Sequence, residues 1–251
     1  MLSTKDLINI FLPVLSHWLI WLCFIVIVIL VLILYAYPYI KKPKKEFNSD
    51  HIGIPITGII SIYIFTKMLE GVIYQGSILQ VDATVNAVSY SPLITSIASF
   101  ITNFGGGVLV TIFFIIAVSI LSFRKKWRYA LLSTIAILGA TGLQFAIKFL
   151  VHRTRPENLI ETGFSFPSGH AITAIVFVSL LIYSFKDDFK NKIIKYFLII
   201  LSSAFFIAVG ISRLILHVHW LSDVEAGMSL GLFWFILLVL VERSIPGVVV
   251  S

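Results

Sequence analysis

The sequence predicts an all-α membrane protein, a polytopic bundle of transmembrane helices, and composition and hydropathy both point to this class. Of the 251 residues, 59% are hydrophobic and only 12% are charged, and the mean hydropathy is +1.01. These values lie outside the usual range of soluble globular domains. Apolar stretches long enough to cross about 30 Å of hydrocarbon, at about 20 residues each, recur along the chain. The single cysteine, Cys23, excludes a disulfide framework and a cysteine-ligated metal site.

Seven predicted spans follow one another along the chain. We place them at 14–37, 53–75, 107–123, 129–150, 170–185, 194–213 and 224–241. The first span is longer than the apolar region of a cleavable signal and lacks a basic leader and a small-residue cleavage site, so we interpret it as a retained helix. Lys67 and Glu70 interrupt the second span, and their spacing of three favours a structural pair. The mixed polar and apolar stretch 81–104 predicts one or two amphipathic helices on the outer surface.

The basic residues indicate the orientation of these spans. Three connections that alternate along the predicted topology are rich in Lys and Arg: 41–45, 124–128 and 186–195. The positive-inside rule places all three in the cytoplasm. The net charge of +7 therefore reflects membrane topology. We expect no nucleic-acid partner, because no basic stretch is interleaved with aromatic residues as a nucleic-acid groove is.

Four cationic residues lie on the opposite, outer side, where the positive-inside rule predicts few Lys and Arg residues. They are Lys148, Arg153, Arg155 and Arg213, in outer loops or at the adjacent helix ends. For any single one of them, snorkelling toward lipid head groups is the simpler interpretation. Four together favour an anion site, and guanidinium groups suit the multidentate recognition of phosphate oxygens.

The segment "FSFPSGHA", Phe164 to Ala171, precedes the apolar run of the fifth span. Pro167 suits the first turn of a helix, and the N–H groups of Ser168 and Gly169 then have no acceptor within the helix. A helix start of this kind binds anions through its free donors and its dipole, and glycine lets a phosphate approach the backbone. His170 directly follows this predicted phosphate cradle.

The segment "SRLILHVHWLSD", Ser212 to Asp223, contains a histidine and a carboxylate four residues apart. This spacing puts His219 and Asp223 on one face of a helical turn. A carboxylate beside an imidazole fixes the tautomer and stabilises positive charge on the ring, which suits a histidine nucleophile. An isolated pair would be interpreted as an interface contact, but the second histidine and the cradle favour catalysis. His217 and His219 also form an H-x-H pattern, yet no third ligand is evident nearby, so a metal site is the weaker interpretation.

Together, "KFLVHRTRP" from Lys148, "PSGH" from Pro167 and "SRLILHVHWLSD" from Ser212 resemble the signature K-x6-RP, PSGH and SR-x5-H-x3-D. This is the signature of the type 2 phosphatidic acid phosphatase superfamily of integral-membrane lipid phosphatases. The resemblance covers roughly 52–241, and members of the family typically have six core helices. It therefore implies a membrane phosphatase core at 52–251. Residues 1–51 would add an extra N-terminal transmembrane helix and a basic cytoplasmic loop.

The resemblance also implies roles for individual residues. His219 would attack the phosphorus to give a phosphohistidine, oriented by Asp223. His170 would protonate the departing oxygen and later activate water. Five further groups would hold the phosphate oxygens: Lys148, Arg155, Ser168, Gly169 and Arg213. No metal and no organic cofactor is implied.

The expected function is that of a bacterial lipid phosphatase in the cell membrane, with its active site on the extracytoplasmic side. Its substrate would be a lipid phosphate or pyrophosphate, either undecaprenyl pyrophosphate or phosphatidylglycerol phosphate. A phosphotransferase would need the same residues, and the related haloperoxidases, which hold vanadate in a similar site, are soluble. A non-catalytic lipid-binding or transport protein is the alternative from another class. It predicts the loss of a nucleophile or acid, whereas both histidines and Asp223 are present.

Overall fold

The computed structural model describes residues 4–41, 52–105, 107–156, 161–185, 188 and 191–245. Within these ranges the chain is helical and contains no strand, so the predicted all-α class is confirmed. The helices are α1 (Thr4–Lys41), α2 (Gly53–Ile73), α3 (Ile78–Asn86), α4 (Pro92–Gly105), α5 (Gly107–Phe123), α6 (Trp127–Val151), α7 (Gly169–Phe185), α8 (Lys192–Ile215) and α9 (Leu221–Ser244).

The seven predicted spans correspond to α1, α2 and α5 to α9. Among the described residues, six segments are long and apolar enough to cross a membrane: Ser16–Ile40, Gly53–Ile73, Pro92–Phe123, Trp127–Val151, Lys192–Ile215 and Leu221–Ser244. The seventh, α7, is apolar but has 17 residues, about 26 Å at the usual helical rise. The chain is thus a polytopic membrane protein, as its composition predicts.

The amphipathic stretch between the second and third spans forms two helices, α3 and α4. Each buries residues against the bundle: Asp82 of α3 lies toward α9, and Ala98 and Thr102 of α4 lie toward α8. The stretch is helical as predicted, but its place on the outer surface stays a prediction, because α4 belongs to the apolar segment Pro92–Phe123. Both helices are nevertheless packed into the protein on one side, because each carries side chains that pair with or pack on the long helices.

Helix α9 is the centre of the bundle and packs against both α2 and α7. Two glycines four residues apart on α9, Gly227 and Gly231, face the start of α7. A Cβ at Gly227 would lie 2.6 Å from the carbonyl oxygen of Ser168, and one at Gly231 would lie 3.0 Å from that of Ile172. Small residues at this spacing let two membrane helices approach backbone to backbone. The start of α7 is therefore held close to the first turns of α9.

We expect Gly227→Ala to lower the stability of the protein by about 1–3 kcal/mol, because the added methyl group overpacks a backbone contact that cannot yield easily. Thermal unfolding of the purified protein in detergent measures this effect. Gly142→Ala in α6 is the matched control, since nothing lies within 4 Å of a Cβ built there. Equal melting temperatures for the two variants would contradict the proposed close approach.

Helix α1 packs against α2 and α9, and its Val31 is fully buried in the core. The predicted pair in the second span is confirmed, with Lys67 Nζ 2.5 Å from Glu70 Oε2. The other carboxylate oxygen of Glu70 contacts α1, at 2.6 Å from His17 Nε2 and 3.0 Å from Trp21 Nε1. The pair therefore also ties α1 to α2.

Two of the three basic connections meet at one end of the bundle. Arg124 and Lys126, between α5 and α6, both contact Asp188, which lies between α7 and α8, and the Lys126 Nζ to Oδ1 distance is 2.7 Å. Their shared position agrees with the alternation on which the predicted topology rests. Five basic residues of the three connections lie outside the described residues: Lys42, Lys44, Lys45, Lys186 and Lys190.

Candidate active site

The three sequence motifs meet at the opposite end of the bundle from Asp188. A cavity of about 590 Å³ opens there, and five of the eight predicted site residues line it: Lys148, Arg155, Gly169, His170 and His219. The other three are buried beside the cavity. Asp223 contacts His219, Ser168 precedes Gly169, and Arg213 contacts Glu161 of the cavity wall.

His219 lies in the turn between α8 and α9, and Asp223 lies in the first turn of α9. The His219 Nδ1 atom is 3.3 Å from Asp223 Oδ2, which also accepts a hydrogen bond of 3.0 Å from the backbone N–H of Trp220. Nε2 is 3.1 Å from Nη1 of Arg155. With Nδ1–H donating to the carboxylate, Nε2 carries the lone pair and accepts the hydrogen bond from Arg155. The predicted contact of the pair is present, but it forms across the start of α9 and not on one face of a helix.

Burial lowers the pKa of His219 to about 4; the negative charge of Asp223 opposes this change, and the positive charges of Arg155 and Arg213 add to it. Desolvation disfavours the charged imidazolium, so the ring is uncharged at neutral pH. Its Nε2 is therefore unprotonated, and its lone pair faces the donor Arg155.

A carboxylate occupies the space between the two arginines of the motifs. Arg155 Nη1 lies 2.9 Å from Oε2 of Glu161, and Nη2 of Arg213 contacts Oε1 of the same side chain. Burial raises the pKa of Glu161, but the charges of Arg213 and Arg155 outweigh it, so that the pKa is lowered overall. Arg213 is itself 2% exposed, and its Nη1 donates to Thr102 Oγ1 at 2.7 Å. This corner of the cavity therefore accommodates an anion.

The start of α7 differs from its predicted form. The helix begins at Gly169, two residues after Pro167, and the Ser168 N–H donates to the carbonyl oxygen of Asp223 at 2.9 Å. The expectation of a free Ser168 amide was thus wrong, because the close approach of α7 to α9 brings an acceptor to it. The Ser168 hydroxyl, in contrast, is buried without a hydrogen-bond partner among the described residues, and so is Nε of Arg213. Buried donors of this kind are costly unless something pairs with them.

Lys148, near the end of α6, donates from Nζ to the carbonyl oxygen of Phe164 and, at 3.4 Å, to that of Ser165. This contact holds the loop before α7 against α6. Lys148 and His170 both border the cavity.

The sequence grouped Arg153 with the anion-binding cations, and the structure corrects this. Its guanidinium group contacts two buried carboxylates, those of Asp82 and Asp223. Asp82 and Glu161 were not identified from the sequence. The one signal for Asp82 is that it is the single charged residue of α3, whose sequence is ILQVDATVN.

A membrane-embedded helical bundle with an uncharged, carboxylate-paired histidine beside a cationic corner belongs to the class of integral-membrane phosphatases, which are phosphoric ester hydrolases. Comparison with known proteins supports the same class, since residues 127–245 match the PAP2 superfamily. Residues 127–245 thus contain a PAP2 superfamily domain, as the three motifs predict.

One relative and two solved structures are also similar to this chain. The chain is 28% identical over 190 residues to phosphatidylglycerophosphatase B of Bacillus subtilis (strain 168), covering 71% of this chain and 91% of the relative. The crystal structure of a transmembrane PAP2 type phosphatidylglycerolphosphate phosphatase from Bacillus subtilis matches with a TM-score of 0.67 and 25% identity, over 72% of this chain and 94% of that one. Aquifex aeolicus LpxE matches with a TM-score of 0.49 and 22% identity, over 64% and 93%.

Proposed function

We propose that this protein hydrolyses the phosphate or pyrophosphate group of a membrane lipid through a phosphohistidine at His219. The observation that carries the proposal is the position of Nε2, 3.1 Å from an arginine that also holds the carboxylate of Glu161. A nucleophile with an unprotonated Nε2 thus borders a corner built for an anion, and a phosphate that accepts from Arg155 in its place would free the lone pair to attack. A phosphate group there would replace the carboxylate of Glu161 on Arg155 and Arg213, which suit its oxygens.

In the first step Nε2 of His219 attacks the phosphorus, and the bond to the leaving lipid oxygen breaks. Asp223 stabilises the positive imidazole ring that results. His170 donates a proton to the leaving oxygen and then accepts one from water, whose oxygen displaces His219 from phosphorus. The charge on the phosphate oxygens would be stabilised by the remaining predicted groups: Lys148, Arg155, Arg213, the Ser168 hydroxyl and the Gly169 amide.

The wall of the cavity supports a lipid substrate. Phe145 and Phe149 of α6 line it and are 63% and 70% exposed on the outside of the bundle. An apolar tail can therefore pass from the bilayer along α6 while its phosphate reaches His219. The names of the Bacillus relatives favour phosphatidylglycerol phosphate, and undecaprenyl pyrophosphate is the second candidate.

The proposed orientation puts the site on the extracytoplasmic face of the cell membrane. The basic connection at Arg124 and Lys126 precedes α6, and Lys148 lies near the far end of that helix. The positive-inside rule assigns the basic end to the cytoplasm and hence the cavity to the other face. We also propose that 52–251 is the phosphatase core and that 1–51 is an added transmembrane helix with a basic cytoplasmic loop.

The test is phosphate release by the purified protein in detergent, with a chelator present. Phosphatidylglycerol phosphate, undecaprenyl pyrophosphate and phosphatidic acid are the substrates to compare. We expect release from at least one lipid without added divalent metal, because the proposed nucleophile and anion-binding groups are all side chains and amides of the chain. No release from any of them by folded protein would favour the lipid-binding or transport alternative. Release that stops in the chelator would contradict the metal-free mechanism.

A further inference from the structure

A second buried carboxylate lies behind Asp223. Asp82 of α3 is 1% exposed, and its Oδ1 accepts a hydrogen bond of 2.9 Å from the backbone N–H of Ser222. Its Oδ2 accepts from the Ser222 hydroxyl and from Arg153 Nη2, both at 2.6 Å. Burial of a carboxylate at this depth requires such pairing. Helix α3 thus supplies a charge directly beside the first turn of α9.

Arg153 joins this carboxylate to the one that contacts His219. Its Nη1 donates to Asp223 Oδ1 at 2.7 Å, while Nη2 donates to Asp82. The guanidinium carbon lies 5.4 Å from the centre of the Trp220 ring, and the carbonyl oxygen of Arg153 accepts from the N–H of Ser165 at 2.8 Å. Arg153 is therefore held from several sides at once.

We propose that Asp82 and Arg153 are positioning residues that hold Asp223 in the orientation that His219 needs, an inference that rests on the proposed function. Oδ2 of Asp223 serves His219 and the Trp220 N–H, while Oδ1 is held by Arg153. With both oxygens held, the carboxylate cannot rotate away from the imidazole. Neither residue touches the cavity, so both act through Asp223.

Charge balance gives Asp82 a second effect. Arg153 alone would neutralise Asp223 and weaken its attraction for the imidazolium ring of the phosphohistidine. Because Asp82 shares the same guanidinium group, the three side chains carry one net negative charge. That charge becomes balanced only when His219 becomes positive. The pair thus favours the charged intermediate over the free enzyme, which is the differential stabilisation that catalysis needs.

Asp82→Asn and Arg153→Lys test this proposal. Asparagine keeps the shape of the side chain without its charge, and lysine keeps a charge but has one nitrogen where two carboxylates need separate donors. For both we expect kcat to fall about 10- to 100-fold, as for a small misplacement of a catalytic group, with KM nearly unchanged. Quenched-flow measurement of phosphoenzyme formation should show the same decrease, because the first step needs the oriented imidazole.

Two control variants separate positioning from a merely structural role. Thr84→Val replaces an exposed side chain of α3 whose hydroxyl donates to the carbonyl oxygen of Gln80 on the same helix, so kcat should stay near that of the wild type. Glu70→Gln disrupts the ion pair with Lys67, which does not line the cavity, and should lower the melting temperature without changing kcat of the folded protein.

Wild-type kcat in Asp82→Asn and Arg153→Lys would overturn the proposal. A decrease in total activity that is fully explained by a smaller fraction of folded protein, as expected for Glu70→Gln, would also overturn it. If Asp82→Asn does not fold, Arg153→Lys and Thr84→Val decide the question by the same criteria. A wild-type protein that releases no phosphate would instead contradict the proposed function itself.

Discussion

Replacing His219 with alanine is expected to abolish phosphate release, lowering kcat by about 10⁴-fold or more, as removal of a triad member does in other enzymes. The imidazole is the nucleophile of the proposed mechanism. Asp223 cannot replace it, because it is fully buried and both its oxygens are already bound. The measurement is steady-state release from the lipid that the wild type prefers, together with acid-labile, alkali-stable labelling of the enzyme by phosphate-labelled substrate. The label should appear in the wild type and be absent from the variant.

His217→Ala is the matched control for this experiment. His217 lies in the same turn, two residues away, and its Nδ1 is 3.1 Å from Oδ1 of Asn86. It does not line the cavity. We expect this variant to keep most of the activity and all of the label. Substantial release by His219→Ala, or a label that persists in it, would require another nucleophile.

Replacing His170 with alanine is expected to lower kcat about 10²- to 10⁴-fold, the usual contribution of a general acid or base. The two chemical steps should respond differently. An aryl phosphate with a good leaving group needs little protonation, so the first step should survive with p-nitrophenyl phosphate. Activation of water in the second step still requires the lost imidazole. The phosphoenzyme should therefore accumulate, and rapid-quench labelling measures it.

His152→Asn is the control for the His170 variant. His152 ends α6 with a positive φ of 52°, a conformation that asparagine tolerates, and its ring packs on Phe164. We expect normal turnover and no accumulated phosphoenzyme. If His170→Ala slows both steps equally with the aryl phosphate, His170 does not act on water, and its assignment as the base fails.

The sequence alone determined the class of the protein and the local geometry of its motifs. Composition and hydropathy are sufficient for the membrane bundle, because crossing hydrocarbon demands long apolar helices whatever their partners. The contact of His219 with Asp223 was predictable from their closeness along the chain, although it forms across the start of α9 and not within a helical turn. The Lys67–Glu70 pair was predictable for the same reason. Each of these features depends on neighbours along the chain.

Only the tertiary structure decided how these local features combine. Asp82 and Ser222 are separated by 140 positions, and Arg153 and Asp223 by 70. The direction of the Arg153 side chain depends on which carboxylate lies within reach, and no local pattern contains that information. The Ser168 N–H was likewise expected to be free to bind an anion. It donates to the carbonyl oxygen of Asp223 instead, because Gly227 lets the backbone of α7 approach α9. Buried charges and amides must find partners somewhere in the fold, and those partners are set by how the helices pack.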